Sequence, residues 1–567
     1  MVKKEIKKES KSQTKKDFTN HIFAYSLENA LEHPIAAPNI ILPKLFQHGL
    51  EKEQIKDILP KINEIVNLVN KMPKDQVKKE FEKYSEYVKD RVYFSPALKE
   101  LPNVSKNMVF RLAPFPSGAL HLGNTKTYLL NALYAEKYNA KVLLVMDDTV
   151  GSEEKKIMPE AYKLIQEAFQ WLKVKYKKPI IYKSDRLEIY YKYAEDLIKK
   201  NKAYVCSCKQ EEIKENRVAQ RECSCRQFPV SEQLLRWKKM FKSKQGEYVL
   251  RIKTSMQDPN PAFRDRVLFR ISERYHPKVG NKYKVWPMLE FSWAIDDHLL
   301  GVTHIIRGKE LMIEGDMENY IWDIFGWKRP NLIHCGLIKL EGIGGKLSKS
   351  KAQREVLSGD YSGWDDPRTW SVQSLRRRGI LQESIREFVE KIGLNQNEIT
   401  VPVDDLYSIN RKKLDSEAKR YFFVQDPVSI EITNAPQIKR VQTKYHPEKP
   451  KTKDLLVGKE IFVSLKDFNK FKGKQIRLMY LYNIKLDKQS EFTFEENKPE
   501  IPKIHWVSKG LKTKVMMPEG TYVFGLSEEN ISKLKIGEII QFERFGFCRL
   551  DNFDKKKKEY EFWFTHN

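Results

Sequence analysis

Residues 111–124 read RLAPFPSGALHLGN, and they lie between a short apolar run and a segment with helical spacing. Pro114 and Pro116 stiffen this turn, while Gly118 and Gly123 allow another group to approach the backbone closely. Such a composition indicates a turn that presents its backbone to a ligand rather than one that fills a core.

The residues on either side of the turn predict a β-α-β unit and therefore a parallel sheet. A strand is predicted within residues 107–114, then a helix, then a strand within residues 141–149. Ligands of open α/β sheets bind at the carboxyl ends of strands, and a helix that begins near Gly123 offers its N–H groups to phosphate. His121 could donate to the same phosphate; the alternative is that it only caps the helix.

Length, charge and hydropathy limit the classes of protein. A chain of 567 residues is too long for one compact core, so several domains are expected. The formal charge of +27 favours a polyanionic partner, either nucleic acid or a membrane surface. The sequence contains no apolar run of about 20 residues and no signal peptide, which predicts a cytoplasmic protein without a membrane partner.

The remaining sequence predicts further sections. Residues 18–100 have helical spacing, and a Cys- and Lys-rich section at 201–285 interrupts the two αβ parts like an insertion. A helical section follows residue 351, and from about residue 428 short β-rich runs predict an all-β, barrel-like tail.

A second motif, GGKLSKSK at residues 344–351, carries Lys346 and Lys349 after a flexible glycine pair. Two mobile ammonium groups suit the negative charge of a departing pyrophosphate. The alternative is a solvated lysine loop, which is a serious rival in so basic a chain. Because each motif accompanies its own half of a predicted parallel sheet, we favour the functional interpretation.

Together, HLGN (121–124) and KLSKS (346–350) resemble the HIGH and KMSKS signatures of class I aminoacyl-tRNA synthetases. The stretches APFPSGALHLGN, AIDDHLLGVTHIIRGKE, GWDDPRTW, RYFFV and GEIIQFERFGFCRLD extend the resemblance to the archaeal-type glutamyl-tRNA synthetases over nearly the whole chain. Related glutaminyl enzymes usually carry Asn at the position of Ser117 and His at that of Asn124, and both differences point to glutamate.

The resemblance implies an α/β Rossmann-type catalytic domain with an inserted acceptor-binding domain, an N-terminal helical section and C-terminal all-β barrels that bind the anticodon. The expected boundaries are 1–17 for a disordered basic tail, 18–100 for the helical section, 101–200 and 286–350 for the Rossmann halves, 201–285 for the insertion, 351–427 for a helical stem-contact section and 428–567 for the barrels.

The implied activity is the ATP- and Mg²⁺-dependent activation of L-glutamate and its transfer to the 3′ end of tRNA(Glu); the residues leave open whether tRNA(Gln) is charged too. The implied catalytic residues are His121, Lys346 and Lys349. The implied ATP-binding residues are Pro114, Pro116, Ser117, Gly118, His121, Gly123, Asn124, Lys346, Ser348 and Lys349. The implied glutamate-binding residues are Arg111, Ser117 and Arg307, with structural ion pairs as the alternative for the two arginines.

Two positions depart from the family pattern. Leu289 stands where an aromatic Tyr is usual, and Val150 stands where an acidic or amide residue is common. These departures leave two alternatives, a glutaminyl-tRNA synthetase or a non-catalytic tRNA-binding relative, which has less reason to keep His121, Lys346 and Lys349 together.

Four of the six cysteines, Cys206, Cys208, Cys223 and Cys225, form two C-x-C pairs within the insertion. Closely spaced thiols in a cytosolic chain more often bind metal than form disulfides, so we predict one structural Zn²⁺ with four thiolate ligands. Reduced, unliganded thiols are the alternative.

Contacts with tRNA are expected from the insertion, from the basic stretch SLRRRG at 374–379 and from the β-rich tail. Aromatic rings among basic residues, as in 542–550 and 561–567, suit stacking on unstacked bases. The alternative is that most of these rings form the core of the barrel.

Overall fold

The computed structural model describes residues 17–33, 35–45, 48, 50, 54–88, 98–152, 156–343 and 349–567. They divide between residues 94 and 95 into two compact units, which are treated separately. Residues 1–16 of the predicted tail lie outside the described residues. In the described ranges, no helix combines the length and the apolar character needed to cross a membrane.

The first unit is helical, as its sequence predicts. Its helices are α1 (Thr19–Glu32), α2 (Pro38–Leu45), α3 (Ile55–Asn70) and α4 (Lys74–Tyr84). The apolar residues of α3 that recur at helical spacing, Ile62, Ile65, Val66 and Val69, are all buried. They pack against α1 in one hydrophobic core, because the helical period places them on a single face.

The second unit begins with the predicted β-α-β unit. Its elements are β1 (Val109–Leu112), α5 (Leu122–Lys137), β2 (Lys141–Met146), α6 (Ala161–Trp171), β3 (Lys177–Tyr182) and α7 (Leu187–Lys199). The insertion follows with β4 (Ala203–Cys206), α8 (Gln210–Val218), α9 (Val230–Met240), β5 (Val249–Ile252), β6 (Val267–Ile271) and β7 (Val285–Pro287).

The chain then returns to the first sheet. The next elements are α10 (Leu289–Leu299), β8 (His304–Gly308), α11 (Met312–Phe325), β9 (Asn331–Cys335), β10 (Ile338–Glu341) and α12 (Lys349–Ser358). Five parallel strands form this sheet in the order β3-β2-β1-β8-β9, whereas the insertion is an antiparallel sheet in the order β4-β5-β6-β7. The Rossmann-type prediction is confirmed, and β1 and β8 bring the two sequence halves side by side.

A helical section connects this sheet to the β-rich tail. It contains α13 (Val372–Arg378), α14 (Gln382–Ile392), β11 (Ile399–Pro402) and α15 (Val403–Asp415). Strand β11 pairs with β10 in parallel. Apolar residues of α13, α14 and α15 pack in the same core as β1, β2 and α5, so this section is an integral part of the unit that contains the parallel sheet.

The C-terminal part is almost entirely β. Its elements are β12 (Lys419–Tyr421), β13 (Phe423–Gln425), β14 (Pro427–Thr433), β15 (Arg440–Lys444), β16 (Thr452–Leu456), β17 (Glu460–Ser464), α16 (Leu465–Phe471), β18 (Gln475–Leu478), β19 (Asn483–Lys485), β20 (Gln489–Phe494), β21 (Lys503–Ile504), β22 (Leu511–Met516), β23 (Tyr522–Ser527), β24 (Ile539–Phe542), β25 (Gly546–Asp554) and β26 (Glu559–His566).

These strands form a seven-stranded sheet, β12-β24-β25-β26-β22-β23-β13, a six-stranded sheet, β17-β14-β20-β19-β18-β21, and a separate pair, β15-β16. The edge strands of the seven-stranded sheet, β12 and β13, are separated in sequence by Phe422 alone. The chain therefore holds both edges together, and the sheet is a nearly closed barrel. The predicted all-β tail is confirmed, although its first strands precede residue 428.

Candidate active site

The turn after β1 leads directly into α5. His121 is the N-cap of α5, and its Nδ1 accepts a hydrogen bond from the backbone N–H of Asn124 at 3.3 Å. His121 therefore does cap the helix, through Nδ1 of its imidazole. Gly118 has a φ of +145°, a conformation that favours glycine.

A cavity of about 320 Å³ lies beside this turn, between the two sequence halves of the parallel sheet. Five predicted site residues line it: Arg111, Ser117, Gly123, Asn124 and Arg307. Four other predicted site residues are not among the described residues that line it: Pro114, Pro116, Gly118 and His121.

The second predicted motif falls largely outside the described part of the chain. Lys346 and Ser348 are not described, and of Lys349 only the backbone is, as the first residue of α12. Ser350 and Gln353 of the same helix line the cavity. Helix α12 therefore starts at the cavity.

The two unusual positions have different surroundings. Leu289 lines the cavity, so a leucine takes part in shaping its wall. Val150 is buried in the core that the insertion shares with α10 and α11.

Arg111 lies at the end of β1 and is buried. Its Nε donates to Oδ1 of Asp297 at 2.5 Å and its Nη2 donates to Oδ2 at 3.0 Å. The predicted alternative, an ion pair within the protein, is thus formed at this residue. Asp297 occupies the edge formed by Nε and Nη2, and it fixes the orientation of the guanidinium at the cavity wall.

Arg307, in β8, is also buried but only partly paired. Its Nη1 donates to Oε1 of Glu318 at 2.8 Å, while Nε and Nη2 have no hydrogen-bond partner among the described residues. Burial opposes the charge of Arg307, but Glu318 outweighs it and raises the pKa of the guanidinium. Buried donors without acceptors are rare and unfavourable. Because Arg307 also lines the cavity, its guanidinium is the candidate group for binding an acceptor that enters there.

Gly315 of α11 faces the same guanidinium. A Cβ on Gly315 would lie 2.6 Å from Nη2 of Arg307, closer than real side chains approach. Because residue 315 has no side chain, the guanidinium of Arg307 has room at this position.

Three residues that the sequence analysis missed complete the site: Asp147, Lys183 and Trp293. Nζ of the fully buried Lys183 lies 3.0 Å from Oδ1 of Asp147, and Asp147 and Trp293 line the cavity. Lys183 Nζ and Arg111 Cζ each lie 3.5 Å from a ring centroid of Trp293. Burial lowers the pKa of Lys183, and Asp147 opposes that shift.

The site therefore contains three buried cations, Arg111, Lys183 and Arg307, each paired with one carboxylate. Glu310 also lines the cavity. Among the described residues, Arg307 keeps two nitrogens without partners, and Oδ1 of Asn124 and Oε2 of Glu318 are acceptors without partners. A ligand with both carboxylate and donor groups suits such a site.

The cysteine cluster lies in the insertion, at the end of β4 and beside a 3₁₀ turn at Ser224–Gln227. The four Sγ atoms of Cys206, Cys208, Cys223 and Cys225 lie within 4.8 Å of one another, and no disulfide joins them. The Sγ atoms of Cys206 and Cys223 are 3.8 Å apart, close to the edge of about 3.8 Å expected for a zinc tetrahedron with Zn–S bonds of about 2.3 Å.

Two arginines surround these sulfurs. Nη1 of Arg251 lies 3.8 Å from Sγ of Cys206 and 3.7 Å from Sγ of Cys223, and Nη2 of Arg236 lies 3.6 Å from Sγ of Cys225. Guanidinium groups at these positions would neutralise the excess negative charge of four thiolates around a divalent ion.

Many basic and aromatic residues in the stretches that we predict to contact tRNA are buried or paired within the protein. Arg378 is buried and donates to the carbonyl oxygen of Thr565 at 2.9 Å, and Arg377 pairs with Asp365 and Asp551. The rings at 542, 547, 562, 563 and 564 are buried, so the alternative that most of them form the barrel core is confirmed.

Other aromatic rings of the barrels are exposed instead. Tyr522 and Phe524 of β23 are 37% and 56% exposed, and their ring centroids are 6.1 Å apart. Tyr480 is 46% exposed. The period-2 alternation of a strand, once one face is known to be buried, is the signal that could have identified Tyr522 and Phe524.

Comparisons with known proteins show the family to which the chain is similar. Residues 107–416 match the family described as tRNA synthetases class I (E and Q), catalytic domain, and residues 418–502 and 503–551 match its anticodon-binding domains. The chain is 42% identical to a glutamate–tRNA ligase of Pyrococcus abyssi, 41% to that of Pyrococcus furiosus and 37% to that of Methanocaldococcus jannaschii. Each alignment covers 94% of this chain and 97% of the relative.

Proposed function

Because the chain belongs to the class I tRNA synthetases for glutamate and glutamine, we propose that it is a glutamate–tRNA ligase with its active site at the cavity beside α5. The α-carboxylate of glutamate attacks the α-phosphate of ATP, and the bond to pyrophosphate breaks, which yields glutamyl-adenylate. The terminal ribose hydroxyl of tRNA(Glu) then displaces AMP. The class implies ATP with Mg²⁺, which reduces the negative charge of the phosphates.

The observation that carries this proposal is the pair of unpartnered nitrogens on buried Arg307. A glutamate side chain offers them carboxylate oxygens, and charge-assisted hydrogen bonds of this kind are strong in a partly dry pocket. The amide of glutamine offers one acceptor oxygen and an NH₂ group that would face another donor. The site therefore favours glutamate over glutamine.

Arg111 contributes its charge to the same pocket while Asp297 fixes its orientation. Lys183 and Arg111 flank Trp293, so this ring would be held as a rigid wall for the amino acid. Asp147 also lines the cavity and supplies a carboxylate near which an ammonium group could bind.

The first turn of α5 is the proposed phosphate site, because its N–H groups and dipole favour negative charge. Ser117, Gly123 and Asn124 line the cavity on this side. We assign His121 to the phosphates as well. Lys346, Ser348 and Lys349 are assigned from the KLSKS motif alone, with the two lysines on the departing pyrophosphate.

Pyrophosphate exchange in the presence of tRNA tests this function. The full chain should exchange pyrophosphate into ATP with glutamate and tRNA(Glu), and should then charge that tRNA. Preference for glutamine would support the glutaminyl alternative, and absence of exchange despite tRNA binding would support a non-catalytic RNA-binding protein. Purified tRNA(Glu) and tRNA(Gln), tested separately, determine which tRNAs are charged.

We also propose that the four cysteines bind one structural Zn²⁺. Four thiolates would form a closed tetrahedral shell that cross-links the loop after β4 to the turn at Ser224–Gln227, where the cysteines themselves make up most of a small local cluster. Protein purified without added zinc should contain about one equivalent of metal. Cys223→Ser should lose it, whereas Cys335→Ser, which alters a buried cysteine outside the insertion, should retain it. Less than about a tenth of an equivalent in the normally folded wild type would contradict the proposal.

A further inference from the structure

We propose that Trp364 is a positioning residue for amino-acid activation, because its indole sets the spacing between the turn before α5 and helix α12. This inference rests on the proposed function, since these two segments border the cavity where ATP and glutamate would react. Trp364 lies in the stretch GWDDPRTW, which the proposed chemistry does not otherwise use.

On one side, the indole lies against the backbone of Gly118. A Cβ on Gly118 would be 2.1 Å from Cη2, 2.6 Å from Cζ2 and 2.7 Å from Cζ3 of Trp364. The ring thus fills the space in which a side chain at residue 118 would lie. With a φ of +145° as well, Gly118 is suited to this contact for two independent reasons.

On the other side, the indole packs against α12. Trp364 forms one apolar cluster with Ala119 of the turn and with Ala352 and Val356 of the helix, which are one helical turn apart. The indole is only 8% exposed. A single rigid ring therefore contacts both segments, and a change in its size changes their separation.

The ring is itself fixed to the turn by its own segment of chain. The carbonyl oxygen of Trp364 accepts a hydrogen bond from Oγ of Ser371 at 2.5 Å. Immediately after it, Val372 N–H donates to the carbonyl oxygen of Leu120 at 2.8 Å, and Leu122 N–H donates to that of Trp370 at 3.1 Å. These bonds hold the segment against the turn on both sides of His121, and the indole Nε1 donates to Oε1 of Glu160 at 3.5 Å.

The consequence concerns the distance between two groups that are proposed to contact the phosphates. The turn carries His121, and α12 begins at Lys349, so both must reach the phosphates of the same ATP. A displacement of about 1 Å in such a pair can lower the rate about a hundredfold. In the described part of the chain Trp364 does not line the cavity, so its role is positioning and not direct contact with substrate.

The test compares Trp364→Leu with Trp364→Phe by pyrophosphate exchange at saturating tRNA and glutamate. The leucine variant should lower kcat about tenfold to a hundredfold, whereas the KM for glutamate should stay within about twofold. The phenylalanine variant, which keeps a flat ring, should recover most of kcat. Trp506→Leu is the matched control, because Trp506 is a buried tryptophan in the core of the six-stranded sheet. This variant should change thermal stability without this loss of kcat.

Val356→Ala tests the contact between Trp364 and α12 from the side of the helix. The substitution removes only two methyl groups of a half-buried residue, so the fold should persist. It should lower kcat by a smaller factor, about threefold to tenfold, in the same direction. Wild-type kcat in both Trp364→Leu and Val356→Ala, or an equal loss in Trp506→Leu, would overturn the inference. Absence of exchange in the wild type would instead refute the proposed function.

Discussion

Arg307→Gln should remove most of the affinity of this site for glutamate while leaving ATP binding intact. In the wild type, Nε and Nη2 of Arg307 are buried without partners, and Nη1 is bound to Glu318. The substitution deletes the two donors that the glutamate carboxylate would use. It also leaves Glu318 in the interior without its cation.

The size of the effect follows from the number of bonds lost. Hydrogen bonds to charged groups contribute about 1.5–3 kcal/mol each, so two of them amount to about 3–6 kcal/mol. At about 1.4 kcal/mol per factor of ten, kcat/KM for glutamate should fall on the order of 10²- to 10⁴-fold. Burial already raises the pKa of Glu318, and Arg307 partly offsets this. Without Arg307 the pKa rises further, so the carboxyl group takes up a proton and no bare charge is left.

The assay is pyrophosphate exchange at varied glutamate and saturating ATP and tRNA, with thermal unfolding measured in parallel. Glu318→Gln is the control, because its amide oxygen can still accept from Nη1 and the charge of Arg307 remains; we expect a loss of less than about tenfold. Arg307→Lys should behave like Arg307→Gln, because lysine lacks the fork of donors. If Arg307→Gln folds normally and keeps the wild-type KM for glutamate, the reasoning is wrong.

Three further results are expected. Lys349→Ala should lower kcat for exchange about 10²- to 10³-fold by loss of a contact to pyrophosphate, and an unchanged rate would remove Lys349 from the mechanism. Phe524→Ala should weaken tRNA binding by about 1–3 kcal/mol in a filter-binding titration, whereas Ile536→Ala, an aliphatic residue 64% exposed on the same barrels, should not. Burial, assisted by Arg544, lowers the pKa of His505 to about 4. In the unfolded chain the same imidazole takes up a proton near pH 6.5, so the neutral His505 favours the folded state fully above that pH. As the pH falls toward 4, about 3 kcal/mol of the free energy of unfolding should be lost. His505→Gln should remove this part of the pH dependence in urea unfolding.

Local patterns predicted the elements that depend on neighbouring residues. The apolar spacing of α3, the strands β1 and β2 and the helix between them follow from side-chain periodicity, which is a property of short segments. The cysteine cluster could also be predicted, because the two C-x-C pairs are close in sequence and only the short helix α8 and its flanking turns separate them. For the same reason the tight turn at residues 111–124 could be identified before its surroundings were known.

The arginines show where this reasoning stops. Sequence indicated that Arg111 and Arg307 face one crevice, and both line the same cavity. The sequence could not indicate that Arg111 pairs with Asp297, or that Arg307 pairs through one nitrogen only and keeps two without partners among the described residues. Both outcomes depend on carboxylates that come from α10 and α11. In the same way, Arg378 and the rings of the last strand looked like a surface for RNA but are buried where α13 meets the barrel.

By itself, the sequence determined the sections of the chain, the parallel sheet, the barrel-like tail and the family, because periodicity and short motifs are encoded locally. Only the tertiary structure decided the partners of each charge. Lys183 meets Asp147 and Trp293, and Trp364 meets Gly118, across separations of 36 to 246 residues that no local pattern records. The physical reason is that burial favours a partner for each polar group and close packing for each ring, while the fold alone determines which group is near enough.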